Sequence, residues 1–316
     1  MNASSTAAST RPHNQGPQRS PFGLRLPRFL TSESPVPWVA PLAAFFLVFA
    51  LFPLLYNIWL SFHEYSAITR ALEPVGWANW ERLVSEARTT NAIVVTLVYV
   101  GVCLAAQLVL GLAIALLLDS DDRGYGTLRA LITLPLVVPP AITALLFLFM
   151  EDPQFGILSY VFDQLGLISR SEPILSNADT ALFGVILADV WQWTPFMVLI
   201  FLAGLRALPR EPFEAAAIDG ASRLQIFWRI TLPMLSKVMA VAILVRGIDL
   251  FRFSFAYIYT MTSGGPGTVT ETIIYYAWKQ TFTFIKWGYG ATLSLLTLIA
   301  LIVICNLFIY FARVRW

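Results

Sequence analysis

Long stretches of this chain carry no charge at all, and their lengths constrain its fold more than any other feature. Ser34–Phe62, Thr89–Leu118, Ala130–Met150, Val190–Leu205 and Trp287–Ala312 contain no Asp, Glu, Lys or Arg. The Val190 stretch reaches back to Thr180 with only Asp189 inside it. A sixth stretch, Val238–Met261, is apolar except for Arg246, Asp249 and Arg252. A helix rises about 1.5 Å per residue, so about 20 apolar residues cross about 30 Å of hydrocarbon. The pattern predicts six transmembrane helices near 37–61, 91–118, 129–150, 181–205, 237–261 and 288–312, an all-α integral membrane fold. Composition agrees: 57% of the 316 residues are hydrophobic and 13% charged, whereas ordinary soluble domains are about 25% charged. A net charge of +2 is no footprint for nucleic acid, so none is expected as a partner.

Residues 1–35 differ from the rest. They are rich in Ser, Thr, Pro, Asn and Gln, carry Arg11, Arg19, Arg25 and Arg28, and lack an apolar period. A disordered basic cytoplasmic tail is expected there, followed by a membrane domain over 36–316. Six crossings put both termini on one side. With that side inside, the inner segments hold Arg11, Arg19, Arg25, Arg28, Arg123, Arg129, Arg206, Arg210, Arg223, Arg229, Lys237, Arg313 and Arg315. The outer loops hold only Arg70, Arg82, Arg88, Arg170, Lys279 and Lys286. Basic residues concentrate on the cytoplasmic side of membrane proteins, so both termini are expected in the cytoplasm. Cys103 and Cys305 lie within apolar runs and read as small buried hydrophobes. No His/Cys cluster has metal-ligand spacing, so no metal or cofactor is expected on this chain.

The inner loop of about 206–236 reads RALPREPFEAAAIDGASRLQIFWRITLPMLSK through Lys237, too apolar for a solvated linker. Glu214–Ile218 favours helix, Pro212 is tolerated in its first turn, and Gly220 suits its end. A second helix is expected from Ala221 or Ser222, with Leu224, Phe227, Ile230 and Met234 at spacings of three and four. Pro233 is expected to bend or restart the chain. A small-faced helix, a break and a helix entering the membrane suit docking into a groove of another protein.

The string Glu214-Ala215-Ala216, Asp219-Gly220-Ala221, Phe227, Thr231-Leu232-Pro233 resembles the EAA loop of ABC-importer permeases. PLLYNIWLSF (Pro53–Phe62), GWANW (Gly76–Trp80), TLRALITLPLVVPP (Thr127–Pro140), DVWQWTPF (Asp189–Phe196) and TSGGPG (Thr262–Gly267) resemble its carbohydrate branch. The resemblance covers about 36–316 and implies a six-helix type I importer bundle in a bacterial or archaeal cytoplasmic membrane. It implies that Glu214, Ala215, Ala216, Asp219, Gly220 and Ala221 couple to a partner ATPase. It also implies a second permease subunit, two ATPase subunits that carry ATP and Mg, an extracytoplasmic solute-binding protein, and a sugar or polyol as substrate. The chain contains no GxxxxGK[ST] phosphate loop of its own, so it is not expected to be an enzyme.

Charges inside a bilayer are costly, about 2.5–3.5 kcal/mol at a helix centre. Arg246, Asp249 and Arg252 sit three apart and share a helix face, so Asp249 can offset either arginine. The triad reads as a polar lining for a substrate path or as an ion-pair cluster that locks the fifth helix; the two are compatible. On the fourth helix, Asp189, Trp191, Gln192 and Trp193 combine rings with hydrogen-bonding groups, which suits sugars; ordinary bundle packing is the alternative. The resemblance places that segment in the sugar site. Leu136 and Pro140, which in relatives' positions line the cavity, donate no side-chain hydrogen bond. Ser254, Phe255 and Ala256 replace an acidic residue of many relatives. A competing function is an ion-coupled secondary transporter or channel that uses the Arg246/Asp249/Arg252 cluster as a relay.

Overall fold

A computed structural model describes residues 36–120, 122–169 and 171–312; the expected tail of 1–35 lies outside them. The described chain divides into two units, one ending at Tyr56 and the other beginning at Asn57. The described part of the first is a helical run: α1 (Val36–Phe46), a π-helical turn over Leu47–Leu51, and the start of α2 (Phe52–Leu60).

The second unit opens with a feature absent from the sequence reading, an antiparallel hairpin of β1 (His63–Ser66) and β2 (Ala71–Pro74), with His63 opposite Pro74. Short α3 (Ala78–Ser85) leads into α4 (Ala87–Leu118). Then come α5 (Tyr125–Ile132), a 3-10 turn over Leu134–Val137, α6 (Pro140–Met150) and α7 (Ile157–Gln164). The chain continues through α8 (Ala181–Arg206), α9 (Glu211–Ile218), α10 (Arg223–Ile226), α11 (Leu232–Met261), α12 (Ile273–Trp278) and α13 (Trp287–Ala312).

By length and composition, Trp38–Leu60, α4, α8 and α13 suit a membrane crossing. The third expected span is not one straight helix: Tyr125–Val137 and Pro140–Met150 meet at 95° and make a fifth crossing only if counted together. Pro135, Pro139 and Pro140 explain the break, because none donates a backbone hydrogen bond and each restricts the residue before it. At the fifth expected span the 30-residue helix α11 forms, but Lys237, Arg246, Asp249 and Arg252 make it the most polar of the long helices, and it is not among those apolar enough to suit a crossing.

Pro233 lies in the first turn of α11, where α-helical geometry restarts at Leu232 directly after a π-turn. Helical dihedrals run from Ile226 through Leu232, across a π-turn at Phe227–Thr231 in which Leu232 N–H donates to Phe227 O. The same arrangement precedes Pro53: Leu47–Leu51 is π-helical and Phe52 N–H donates to Leu47 O. In both places the widened turn lies just before a proline, whose ring would clash with the carbonyl four residues back.

The core lies where α4, α8 and α11 meet. Tyr99 and Cys103 of α4, Val185 and Ala188 of α8 and Leu250, Tyr257 and Ile258 of α11 are fully buried together with Ala144 of α6. A second cluster joins Ala115, Met197, Phe201, Leu235 and Ala242. Small residues permit the close approach: a Cβ on Gly111 would stand 2.5 Å from Met197 Cβ. Val109 and Leu117 of α4 and Ile299 and Phe311 of α13 remain exposed, as expected for surface meant for lipid.

One end is knitted by polar groups. The Glu64 carboxylate accepts from the backbone N–H of Gly288 and of Tyr289, each at 3.2 Å, at the start of α13. Negative charge at a helix N-terminus satisfies otherwise unpaired amides. Asn79 Nδ2 donates to the carbonyls of Ser61 and His63 at 3.0 and 3.2 Å. A Cβ on Gly288 would overlap the His63 carbonyl oxygen. Gly288→Ala should therefore lower stability by about 1–3 kcal/mol, the range for overpacking; thermal unfolding of the solubilised protein checks this, and an unchanged melting temperature would contradict the contact.

Candidate functional site

The inner loop folds as two helices around a glycine. Pro212 lies in the first turn of α9, and Asp219 N–H donates to Ala215 O at 3.0 Å. Gly220 has φ +75°, and Ala221 N–H returns to Ala216 O at 2.9 Å. This is a left-handed glycine termination. Ser222 then caps α10 in a reciprocal pair with Gln225: its N–H donates to Gln225 Oε1 at 2.7 Å, and its Oγ accepts from Gln225 N–H. The local chemistry thus forces a helix, a sharp turn and a second helix. Glu214, Ala215, Asp219 and Gly220 are exposed, Ala216 and Ala221 half-buried, and Ile218 is 87% and Leu224 68% exposed. The loop thus exposes two carboxylates and two large apolar side chains.

The charges of α11 do not form the single cluster that their spacing suggests. Arg246 is fully buried, and its ion-pair partner is Asp189 of α8, also fully buried, rather than Asp249. Gln107 of α4 holds both: its Oε1 accepts from Arg246 Nε at 2.8 Å and its Nε2 donates to Asp189 Oδ1 at 2.7 Å. The Tyr99 hydroxyl donates to Asp189 Oδ2 at 2.9 Å. Three helices are therefore joined by one buried, mutually neutralised set, the arrangement in which a buried charge is tolerated. Arg246 Nη1 has no hydrogen-bond partner among the described residues, but the guanidinium lies 4.6 Å from the Trp193 ring centroid. Gln107 and Tyr99 were not singled out from sequence. Their available signal was modest: an amide inside an apolar run, eight residues from Tyr99 and so on the same helix face.

Trp191 and Trp193 part company. Residues two apart on a helix do not share a face. Trp193 stacks on Phe253 of α11 at 5.0 Å, and its Nε1 donates to the Tyr257 hydroxyl at 3.0 Å. That hydroxyl donates to Gln192 Oε1, and Gln192 Nε2 donates to Val138 O. The last bond satisfies a carbonyl at the proline break, where the next two residues have no N–H. Trp191 instead packs on Phe147 at 5.5 Å and is 44% exposed. It helps wall a cavity of about 660 Å³ with Leu110, Leu131, Pro135, Val138 and Thr194. Asp249 is half-buried and Arg252 exposed; among the described residues neither has an ion-pair partner, and the Arg252 guanidinium stands 5.2 Å from the Phe253 ring.

The glycine-rich loop after α11 is tied down. Thr262 and Thr270 hydroxyls meet at 2.8 Å, and Thr270 Oγ1 donates to Gly265 O at 2.9 Å. Asn91 Nδ2 donates to Thr268 O at 2.9 Å, and Arg88 grips the buried Glu271 through two bonds of 2.7 and 2.9 Å. At the other end of α4, Arg129 Nη2 donates to Leu118 O at 2.7 Å, and Arg206 lies 3.5 Å from Asp119. Among the described residues no group of His, Cys, Asp and Glu is placed to hold a metal.

Long apolar helices joined by a buried polar set, with a two-helix loop between α8 and α11, define a membrane protein. Residues 107–315 match the family of binding-protein-dependent transport system inner membrane components, and the chain belongs to that family. It is a permease subunit and not an enzyme; ATP hydrolysis belongs to a separate subunit. The chain is 34% identical over 279 residues to the trehalose/maltose transport system permease protein MalF of Thermococcus litoralis, covering 88% of this chain and 92% of that one. It is 30% identical over 264 residues to the sn-glycerol-3-phosphate transport system permease protein UgpA of Agrobacterium fabrum, covering 84% and 89%. Its fold is similar to a chain of a bacterial ABC transporter involved in import of the acidic polysaccharide alginate, with TM-score 0.74, 21% identity and coverage of 88% and 94%.

Proposed function

We propose that this chain is one of two permease subunits of an ATP-driven importer for a sugar or polyol. α9 and the turn Asp219–Ala221 dock into a partner ATPase, and a solute-binding protein delivers substrate on the opposite side. Both termini lie in the cytoplasm, and six helical segments cross the membrane. The observation that carries this reading is the loop: a helix–glycine–helix unit that leaves Glu214, Asp219, Ile218 and Leu224 exposed. The sugar or polyol class is supported by the names of the relatives, which transport trehalose/maltose and sn-glycerol-3-phosphate.

Asp189, Gln192 and Arg246 are buried, so they shape the path from behind its wall. Trp191, Asp249 and Arg252 present the accessible groups, and Trp193 bridges the two sets. The relay needed by an ion-coupled transporter has its first charge already neutralised by Asp189.

The test is uptake by the complex reconstituted with its ATPase and binding protein. Uptake should require ATP and persist with ionophores. Trp191→Ala should lower it two- to tenfold, the equivalent of about 0.5–1.5 kcal/mol for one aromatic contact, without loss of ATPase assembly. ATP-independent uptake abolished by ionophores would overturn the reading.

A further inference from the structure

Glu151 follows the last residue of α6 and is 1% exposed, yet neither carboxyl oxygen has a hydrogen-bond partner among the described residues. It is wedged against α8: a Cβ on Gly184 would overlap Glu151 Oε2. The surrounding backbone is held firmly. Ser159 Oγ donates to Glu151 O at 2.7 Å, and Gly156 N–H donates to Asp152 O at 2.9 Å. A glycine opposite a glutamate makes room for the carboxyl but supplies nothing to pair it. An ionised carboxylate in such a place is far more costly than a neutral one.

We propose that Glu151 makes the contact between the Met150 end of α6 and the first turns of α8 proton-linked, so that closing this contact binds one proton and opening it releases one. Burial pushes the carboxyl up to about 8 from its ordinary 4.5. The neighbouring acids are Asp152 on the same turn, Asp163 on α7, Glu172 and Asp179 before α8, and Asp189 within it. α11, which also packs on α6, carries Lys237, Arg246, Asp249, Arg252 and the tyrosines 257 and 259; α7 adds Tyr160. None of these contributes to the shift, which burial alone produces. Asp152 is engaged elsewhere, its Oδ1 accepting from Gln154 N–H at 2.8 Å.

The sign follows from proton counting. Between pH 4.5 and about 8 the closed contact holds a proton that a hydrated, open Glu151 lacks. The closed form is therefore progressively disfavoured as pH rises through that window, and further rise above it has no added effect. One proton corresponds to about tenfold in the open-to-closed ratio per pH unit.

The test uses the full chain in lipid nanodiscs with its co-purifying subunits, without ATP. Amide hydrogen exchange over residues 147–160 is corrected for intrinsic rates and followed from pH 6 to 9. In the wild type, opening should rise about tenfold per unit up to about pH 8 and then level off. Glu151→Gln, neutral and of the same shape, should stay low and flat. A wild-type profile that is flat between pH 6 and 8, or a Glu151→Gln profile that rises in parallel with it, would overturn the proposal. Should Glu151→Gln not fold, the wild-type profile alone decides. The inference is independent of the transport reading, since failure of ATP-driven uptake leaves this exchange profile unchanged.

Discussion

Arg246→Ala is expected to destabilise the membrane bundle by about 3–5 kcal/mol, the cost of leaving a buried charge without its partner. Removing the guanidinium strands Asp189, which is fully buried between α4, α8 and α11, and it frees Gln107 Oε1, which accepts from Arg246 Nε. Asp189→Ala should cost a similar amount, because it strands Arg246. The double replacement Asp189→Leu with Arg246→Met should recover most of the loss, since neither charge is left behind and apolar replacements of a buried pair are often neutral or stabilising. Thermal unfolding in detergent measures all three. The decisive outcome is non-additivity: if the double variant is as unstable as the sum of the singles, the two residues do not act as a pair. Function should follow stability for this set. A double variant that folds normally but has lost uptake entirely would instead place Asp189 or Arg246 in direct contact with substrate.

Gly220→Pro is expected to abolish uptake while the permease still inserts and folds. Gly220 sits at φ +75°, which proline, held near −65°, does not adopt. The variant also loses the bond from Gly220 N–H to Ala217 O at 3.2 Å. Because α9 and α10 are joined only through this turn, their relative direction changes and the presented face no longer matches its partner. Glu substituted for Ala216 tests the same surface without changing the backbone, by placing a charge on the half-buried side of α9. Uptake and ATP hydrolysis by the assembled complex are the two readouts. Uptake should fall below detection, and hydrolysis should either persist uncoupled or lose its stimulation by loaded binding protein. Normal coupled uptake in both variants would remove α9 from the coupling path.

Much of this was legible in local sequence. The inner loop is an example, because its structure follows from neighbours: Pro212 permits a helix start, Gly220 supplies a left-handed stop, and Ser222 and Gln225 cap the next helix. Segment lengths likewise located the long helices, since a charge-free run near 20 residues has few other destinations. The proline effects were only half legible. Three prolines break α5 from α6, whereas at Pro233 α11 restarts straight after a π-turn with helical dihedrals kept, and nothing local separates the one outcome from the other.

What sequence alone determined is the solvent, the long apolar helices and the shape of the inner loop, because each depends on residues within a turn or two of one another. Tertiary structure alone decided the partners. Arg246 pairs with Asp189, 57 positions away, rather than with Asp249 three positions away, because α11 crosses α8 with that side chain inward and leaves Asp249 on its flank. Glu64 caps a helix 224 positions on. Trp191 and Trp193 read as one aromatic site along the chain, yet they occupy opposite sides of α8 (one at a cavity, the other over Arg246). An unpaired charge in a membrane is costly; which charges find a partner depends on how the helices cross, and no local pattern encodes the crossing.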